Sequence, residues 1–171
     1  PTTWEAVNAD LAGRIACILT GKQAEVGLES TVVDCSGEIP MVLRAGAVTL
    51  EQLQAVVPAT RLAQANANEP ARSPGLKYKH YSPQARVVIV FDLEKINPPS
   101  DVAFIGLHSP AEAAVFKRLQ LCHSIEEYAH LLFSFFRVCD EAGVQVIYCE
   151  AVEETGLGLA LMDRIKRAAH G

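Results

Sequence analysis

The chain has 171 residues, half of them hydrophobic and 20 % charged, which is enough apolar material for one good core or two small ones. Apolar runs such as 87–91 are far too short to span a bilayer, so no membrane association is expected. The formal net charge of −5 excludes a general electrostatic attraction to nucleic-acid backbones, and no stable direct binding of RNA is expected either. These quantities predict a globular protein.

The cysteines and the first residue suggest the cell compartment and the extent of the chain. The five cysteines are odd in number and too widely spaced for a zinc site or a redox dithiol: Cys17, Cys35, Cys122, Cys139 and Cys149. This pattern favours a reducing environment, and we predict a cytoplasmic location. The chain begins at Pro1 with no methionine, basic segment or apolar leader before it, so we expect that the natural N-terminus is missing.

Residues 1–58 are predicted to form a first unit of short helices and strands. A hydroxyl residue stands three positions before Glu5 and again three before Gln52, a capping-box pattern that opens a helix. Runs of β-branched residues between these signals predict strands. The predicted elements are helices ending near Leu11 and Val57 and strands over 14–19, 26–34 and 41–44, with a hairpin turn at 35–40.

Residues 59–85 lose this periodicity and carry Pro70, Pro74, Gly75 and Pro83, which predicts an extended linker between domains. From 86 to 171 strands and helices alternate, so a small, largely parallel α/β domain is expected there. Its predicted strands are 87–91, 102–107 and 144–149, and its predicted helices are 110–119, 124–142 and 157–169.

The hairpin of the first unit carries the first candidate site. If the chain turns near Gly37 and Glu38, paired residues have numbers summing to about 75, so Ser30 or Thr31 lies almost opposite Arg44. Arginine offers a planar fork of donors that matches carboxylate or phosphate oxygens, and a neighbouring hydroxyl can orient the same ligand. The alternative is a solvated surface hairpin in which the arginine pairs with Glu29 or Asp34.

The linker carries the second candidate site, in the segment 73–83. It places Lys77, Tyr78 and Tyr81 among other polar residues between prolines. Loops that combine aromatic rings with cations suit nucleotides, because a base can stack and phosphates need positive charge. The alternative is a stiff spacer whose tyrosines dock on a domain surface.

Three other patterns are interpreted as structural. Gly156 and Gly158 lack the third glycine and downstream acid of a dinucleotide loop, so they predict a plain helix start. The histidines show no metal-ligand spacing, and no nucleophile–base grouping can be derived from the spacing. The aromatic residues that recur at helical spacing, Tyr128, Phe135 and Phe136, are expected in a core.

Taken together, these segments resemble the long, two-domain form of the YrdC-like threonylcarbamoyl-AMP synthases. The resemblance covers nearly the whole chain, and its motifs occur in the family's order. They are Pro-Thr-Thr at 1–3, Gly-Leu-Glu-Ser-Thr-Val-Val-Asp at 27–34, Leu-Arg-Ala-Gly at 43–46, Ser-Pro-Gly-Leu-Lys-Tyr-Lys-His-Tyr at 73–81 and Gly-Leu-Gly-Leu-Ala at 156–160. The implied fold is the C-terminal part of a YrdC-like twisted α+β sheet, a proline-rich linker and a small Rossmann-like, mostly parallel α/β domain.

The resemblance implies an enzyme that makes threonylcarbamoyl-AMP and pyrophosphate from L-threonine, bicarbonate and ATP, for the threonylcarbamoyladenosine modification of tRNA. It implies that Ser30 and Thr31 contact threonine or its carbamate, and that Arg44, Lys77 and one of Tyr78 and Tyr81 contact the nucleotide. Catalysis would come from positioning and from neutralising phosphate charge, with Mg²⁺, so no nucleophile is implied.

The family's front half, which holds the rest of the pocket, would lie before Pro1. We therefore expect the parent protein to be the enzyme and this chain alone to be inactive. A sheet without its partner strands exposes edges and apolar surface, so self-association is expected. The alternative is a non-catalytic nucleotide-binding or regulatory module, with the ligand at the strand ends of the second domain.

Overall fold

Two β-sheets organise the chain in the computed structural model, which describes residues 2–63, 82–96 and 98–170. The first sheet belongs to the N-terminal unit and has the order β1-β2-β3. The elements of this unit are α1 (Trp4–Leu11), β1 (Val32–Asp34), β2 (Met41–Arg44), α2 (Leu50–Val56) and β3 (Arg61–Leu62). The predicted second helix and the strand over 41–44 are confirmed.

Local capping explains both helices of the N-terminal unit. Thr49 accepts a hydrogen bond from the amide of Gln52, and the Gln52 side chain accepts one from the amide of Thr49, which completes the predicted capping box. At α1 the cap is Thr3, whose hydroxyl oxygen accepts from the amide of Ala6 at 3.2 Å. The predicted cap three residues before Glu5 is therefore one position too early.

Two predicted strands of the N-terminal unit are corrected by the structure. Residues 14–19 form turns and irregular backbone. No strand in the described ranges pairs with them, so their backbone amides have no neighbouring strand to hydrogen-bond with. Residues 26–31 are also irregular, because Gly27 adopts a φ of +78°, which ends extended geometry. Regular pairing with β2 begins only at Val32.

The predicted linker contains a short piece of regular structure. Strand β3 pairs in parallel with β2 and so extends the first sheet. The amide of Gln84 donates to Asp140 in the second unit. The predicted domain limits of 58 and 86 stay predictions, and residues 64–81 lie outside the described residues.

The second sheet has the order β4-β7-β5-β6, and all its neighbouring strands are parallel, which confirms the predicted α/β architecture. Its elements are β4 (Arg86–Val90), β5 (Val102–Gly106), β6 (Arg118–Leu121), α3 (Ile125–Glu141), β7 (Val146–Glu150) and α4 (Leu157–Ala169). Both long helices follow the predicted bounds closely.

The helix predicted over 110–119 is wrong. The segment contains only a short 3-10 helix, Ala113–Val115, before β6 begins at Arg118. Leu119 and Leu121 alternate with polar residues, which is the period of a strand, and the edge of β5 offers backbone partners. The available hydrogen-bond ladder therefore decides the conformation of this segment.

The core lies mainly between the second sheet and the helices α3 and α4. One face of the central strands contributes Ala103, Ile105 and Ile147, which are fully buried. Tyr128 is also fully buried, and its hydroxyl lies 3.0 Å from the carbonyl of Ile105. Its aromatic neighbours on the helix are buried too, which confirms the predicted core stripe: Phe135 and Phe136.

A smaller cluster covers the opposite face of the sheet. Phe104 on β5 points to this face and packs against Phe116, with ring centroids 5.7 Å apart. Phe116 in turn meets Tyr148 edge to face. Because both faces of β5 are covered, all five of its residues are buried. None of the helices in the described ranges is long and apolar enough to cross a membrane.

The cysteines provide a test of this fold. Cys17 and Cys35 are exposed, whereas the other three thiols are buried. Burial raises the pKa of Cys122 to about 11 and that of Cys139 to about 12, and it raises the pKa of Cys149 further. Since the thiolate is the reactive form, iodoacetamide near neutral pH should modify Cys17 and Cys35 in the native chain, and all five cysteines in denaturant. Mass spectrometry would measure this, and rapid native modification of Cys149 would contradict the fold.

Candidate functional site

Ser30 and Arg44 come together beside the hairpin formed by β1 and β2. The Arg44 Nε donates to the Ser30 carbonyl at 3.0 Å, and Nη2 donates to the Ser30 hydroxyl at 3.2 Å. The residue paired with Arg44 is Val32, and a bulge lies between Val32 and Val33. The predicted register, with paired numbers summing to about 75, therefore holds at Val33 but is shifted by one residue at Arg44, so neither Ser30 nor Thr31 is the paired residue. Ser30, two residues before Val32, still faces the guanidinium, which confirms that the two side chains lie close together. Whether these residues bind a substrate stays a prediction.

The hydroxyl of Thr31 is engaged differently. It donates to the carbonyl of Val48 at 2.6 Å and so ties the start of β1 to the segment before α2. This contact fixes the backbone next to Ser30. A substrate contact by Thr31 stays a prediction as well.

The placement of Ser30 beside Arg44 depends on a close approach between two backbone segments. Gly46 is buried, and a Cβ atom added there would lie 2.4 Å from both the carbonyl oxygen of Glu29 and the amide nitrogen of Thr31. The segments 29–31 and 44–46 are therefore in direct main-chain contact, which only glycine at position 46 permits. Glycine at position 46 is therefore a packing requirement of this contact.

The second domain reaches this contact through Arg164 on α4. Its Nε donates to the Glu29 carboxylate at 2.5 Å, and its Nη2 donates to the Ala45 carbonyl at 3.2 Å. The alternative interpretation of the hairpin paired Arg44 with Glu29 or Asp34. The Glu29 carboxylate is paired with Arg164, and the Asp34 carboxylate accepts hydrogen bonds from the amide and the hydroxyl of Ser36. Sequence reasoning missed Arg164. Its signal is its position on the apolar stripe of α4, between Leu161 and Ile165.

Other polar contacts also join the N-terminal unit to the elements of the second sheet. Asp10 on α1 forms a two-point ion pair with Arg137 on α3, at 2.5 and 3.0 Å, and this pairing lowers the pKa of Asp10. The Glu51 carboxylate accepts a hydrogen bond from the amide of Gly156, just before α4. Hydrogen bonds from the amides of Glu51 itself and of Gly156 lower the pKa of Glu51.

The carboxyl edge of the second sheet is where the alternative function would place a ligand. There Glu150, which is 8 % exposed, accepts hydrogen bonds from the amides of Leu107 and His108 at 2.6 and 2.9 Å. Its other oxygen lies 2.6 Å from His108 Nδ1. Amides that could hold a phosphate are therefore used by a carboxylate of the chain itself. The predicted plain start of α4 at Leu157 is confirmed.

The remaining predicted site residues lie outside the described residues: Lys77, Tyr78 and Tyr81. Within the ranges that the structure describes, no group of three or more His, Cys, Asp or Glu side chains could hold a metal ion. A groove of about 360 Å³ lies between α1 and α3, but its lining includes neither Ser30 nor Arg44.

The fold is that of a mixed α/β protein with a parallel four-stranded sheet, in which Arg164 on α4 contacts the backbone beside the candidate anion site at Ser30 and Arg44. A family model described as the C-terminal domain of threonylcarbamoyl-AMP synthase matches residues 48–170. The chain belongs to this family.

The match to known relatives covers nearly the whole of this chain. The threonylcarbamoyl-AMP synthases of Pyrococcus abyssi and Bacillus subtilis are each 36 % identical to it, over 99 % and 100 % of the chain and 54 % of each relative. A crystal structure of P. abyssi Sua5 complexed with L-threonine superposes with a TM-score of 0.84 at 34 % identity, over 99 % of this chain and 54 % of that one. The chain thus spans about half the length of these relatives.

The contact at Gly46 generates a stability test. In Gly46→Ala the new methyl group would meet backbone atoms that cannot rotate away, so residues 29–31 must shift. We expect a loss of about 1–3 kcal/mol in the free energy of unfolding, measured by urea denaturation. Gly21→Ala is the matched control, since nothing lies within 4 Å of a Cβ there. Equal stability of the two variants would contradict the described contact.

The Asp10–Arg137 pair generates a pH test. Because the folded-state pKa of Asp10 is lowered, the pair stabilises the fold above the unfolded-state pKa near 4, and this contribution is lost as the pH falls through the lower folded value. The pair is partly exposed, so Asp10→Asn should cost only about 0.2–1 kcal/mol near pH 7 and less in acid. A double-mutant cycle with Arg137→Gln measures the coupling, which should shrink as the pH is lowered; a coupling that is constant with pH would refute the assignment.

Proposed function

We propose that this chain forms the C-terminal half of a threonylcarbamoyl-AMP synthase and contributes one wall of its substrate site. The observation that carries the proposal is the Arg44 guanidinium held by both the carbonyl and the hydroxyl of Ser30, in a chain that is 36 % identical to two such synthases. The solved relative complexed with L-threonine supports a threonine site in this fold.

The proposed reaction needs a positioned cation and a polar contact. The amine of threonine combines with bicarbonate to give a carbamate and water, and a carbamate oxygen attacks the α-phosphorus of ATP. The bond from that phosphorus to the β-phosphate oxygen breaks, and pyrophosphate leaves. Negative charge is concentrated on the carbamate and the phosphates throughout.

In this chemistry Arg44 would neutralise the nucleotide side, while Ser30 and Thr31 would orient the threonine or its carbamate. Because Arg44 is held by two hydrogen bonds to Ser30, little reorganisation is needed when the anion arrives. Lys77 and one of Tyr78 and Tyr81 would complete the nucleotide site. Mg²⁺ would be held mainly by the ATP phosphates, since it prefers oxygen ligands.

The non-catalytic alternative is less well supported. It needs an anion site at the carboxyl edge of the second sheet, and there the amides of Leu107 and His108 already bind Glu150, while that of Gly156 binds Glu51. A phosphate would have to displace two carboxylates of the chain. We also propose a cytoplasmic location and self-association of the isolated chain, since Leu19 is 94 % and Val56 81 % exposed.

The proposal is tested by the release of pyrophosphate. The product of the complete gene should release pyrophosphate from ATP only when both threonine and bicarbonate are present, and the 171-residue chain alone should not. In the complete product, Arg44→Lys should lower kcat/KM by roughly tenfold or more, because lysine loses the planar fork of donors.

Arg86→Lys provides the matched control for that substitution. Arg86 is an exposed arginine on the second sheet, so its replacement should leave the rate unchanged. If the complete gene product shows no release that depends on threonine and bicarbonate, the proposed function is wrong. If Arg44→Lys and Arg86→Lys behave alike, the function can stand but the assignment of Arg44 fails.

A further inference from the structure

Arg164 is a buried cation whose guanidinium joins two separate segments of the N-terminal unit. Its side chain is only 6 % exposed, and each of its three nitrogens has an acceptor. Nε donates to the Glu29 carboxylate at 2.5 Å, Nη2 donates to the Ala45 carbonyl at 3.2 Å, and Nη1 donates to Asp163 on the same helix. Two of the three acceptors thus lie more than a hundred residues away in the chain.

The two distant acceptors are the sequence neighbours of the proposed site residues. Glu29 immediately precedes Ser30, and Ala45 immediately follows Arg44. Arg44 also holds the Ser30 carbonyl, so two guanidinium groups fix the same short pair of segments. One of the two is supplied by the hairpin itself and the other by the second domain.

Helix α4 is a rigid support for this contact. Leu161 and Ile165, on either side of Arg164 along the apolar stripe, are fully buried in the main core. A side chain that is anchored in this way loses little further freedom when it holds its partners. A buried ion pair is by itself weak grounds for stability, since apolar groups of similar size often replace one without loss. The role of Arg164 therefore depends more on where its acceptors lie than on its charge.

We infer that Arg164 is a positioning residue for the proposed substrate site, through which the second domain sets the spacing of Ser30 and Arg44. The inference rests on the proposed function for its kinetic consequence, but its structural part does not. Arg164 acts through Glu29 and the Ala45 carbonyl. Its loss should therefore loosen residues 29–31 and 44–46 while the core of the second domain keeps its packing.

Hydrogen exchange of the 171-residue chain tests the structural part. In Arg164→Met, amides of 29–31 and 44–46 should exchange roughly tenfold faster or more, while β4, β5 and β7 keep their protection. Arg167→Met is the matched control, because Arg167 lies on the same helix, shares the partner Asp163 and is more exposed. Unchanged exchange at 29–31 and 44–46 would overturn the inference, and so would a uniform loss of protection, which would indicate a general stability role.

Steady-state kinetics of the complete gene product test the functional part. Arg164→Met should raise the KM for threonine by roughly tenfold, because one charge-assisted hydrogen bond supports each of the two segments. Arg164→Lys, which can still pair with Glu29 but lacks the fork that reaches Ala45, should recover part of the loss. Arg167→Met should behave as the unmodified protein.

The outcomes separate the two proposals. If the unmodified gene product makes no threonylcarbamoyl-AMP, the proposed function fails, and the exchange experiment alone decides the role of Arg164. If the gene product is active but Arg164→Met keeps the KM for threonine and loses only kcat in proportion to its folded fraction, Arg164 is structural and the inference is wrong.

Discussion

The main-chain contact between residues 29–31 and 44–46 is the constraint on which the proposed site depends. It places Ser30 within reach of Arg44, and it is possible because position 46 has no side chain. Thr31 adds a hydrogen bond to Val48, and the two guanidinium groups hold the same backbone. A short, irregular segment that would otherwise be mobile is thereby given one conformation.

The second sheet and its helices support this contact through Arg164 on α4. Its parallel sheet and long helices bury a continuous core, which makes α4 a stable frame. The amides where a phosphate could bind in such a fold are used by Glu150 and Glu51. Glu51 belongs to the N-terminal unit and accepts from the amide of Gly156, so this hydrogen bond also joins the two parts of the chain.

Features with a local cause could be predicted from the sequence. The capping box at Thr49 and the helical spacing of the α3 and α4 residues predicted three helices, and the turn at 35–40 predicted that Ser30 lies near Arg44. The bulge after Val32, which shifts the pairing of Arg44 by one residue, was not predicted. Features set by distant partners could not. Strand β6 forms because β5 offers an edge, and 14–19 is irregular because no described strand pairs with it. Arg164 contacts residues that are more than a hundred positions away in the sequence. The only sign of these contacts in the sequence is a charged residue on the apolar stripe of α4.

The contacts that Arg164 makes with Glu29 and Ala45 provide a physical route from the second sheet and its helices to the proposed reaction. The proposed reaction uses no nucleophilic side chain, so its rate would depend on how accurately the reacting anions and the cation are placed. A shift of a fraction of an ångström in residues 29–31 would move Ser30 away from Arg44 without unfolding either domain. If Ser30 and Arg44 bind substrate as proposed, the second unit affects catalysis without contacting substrate itself, because Arg164 holds the backbone beside those two residues.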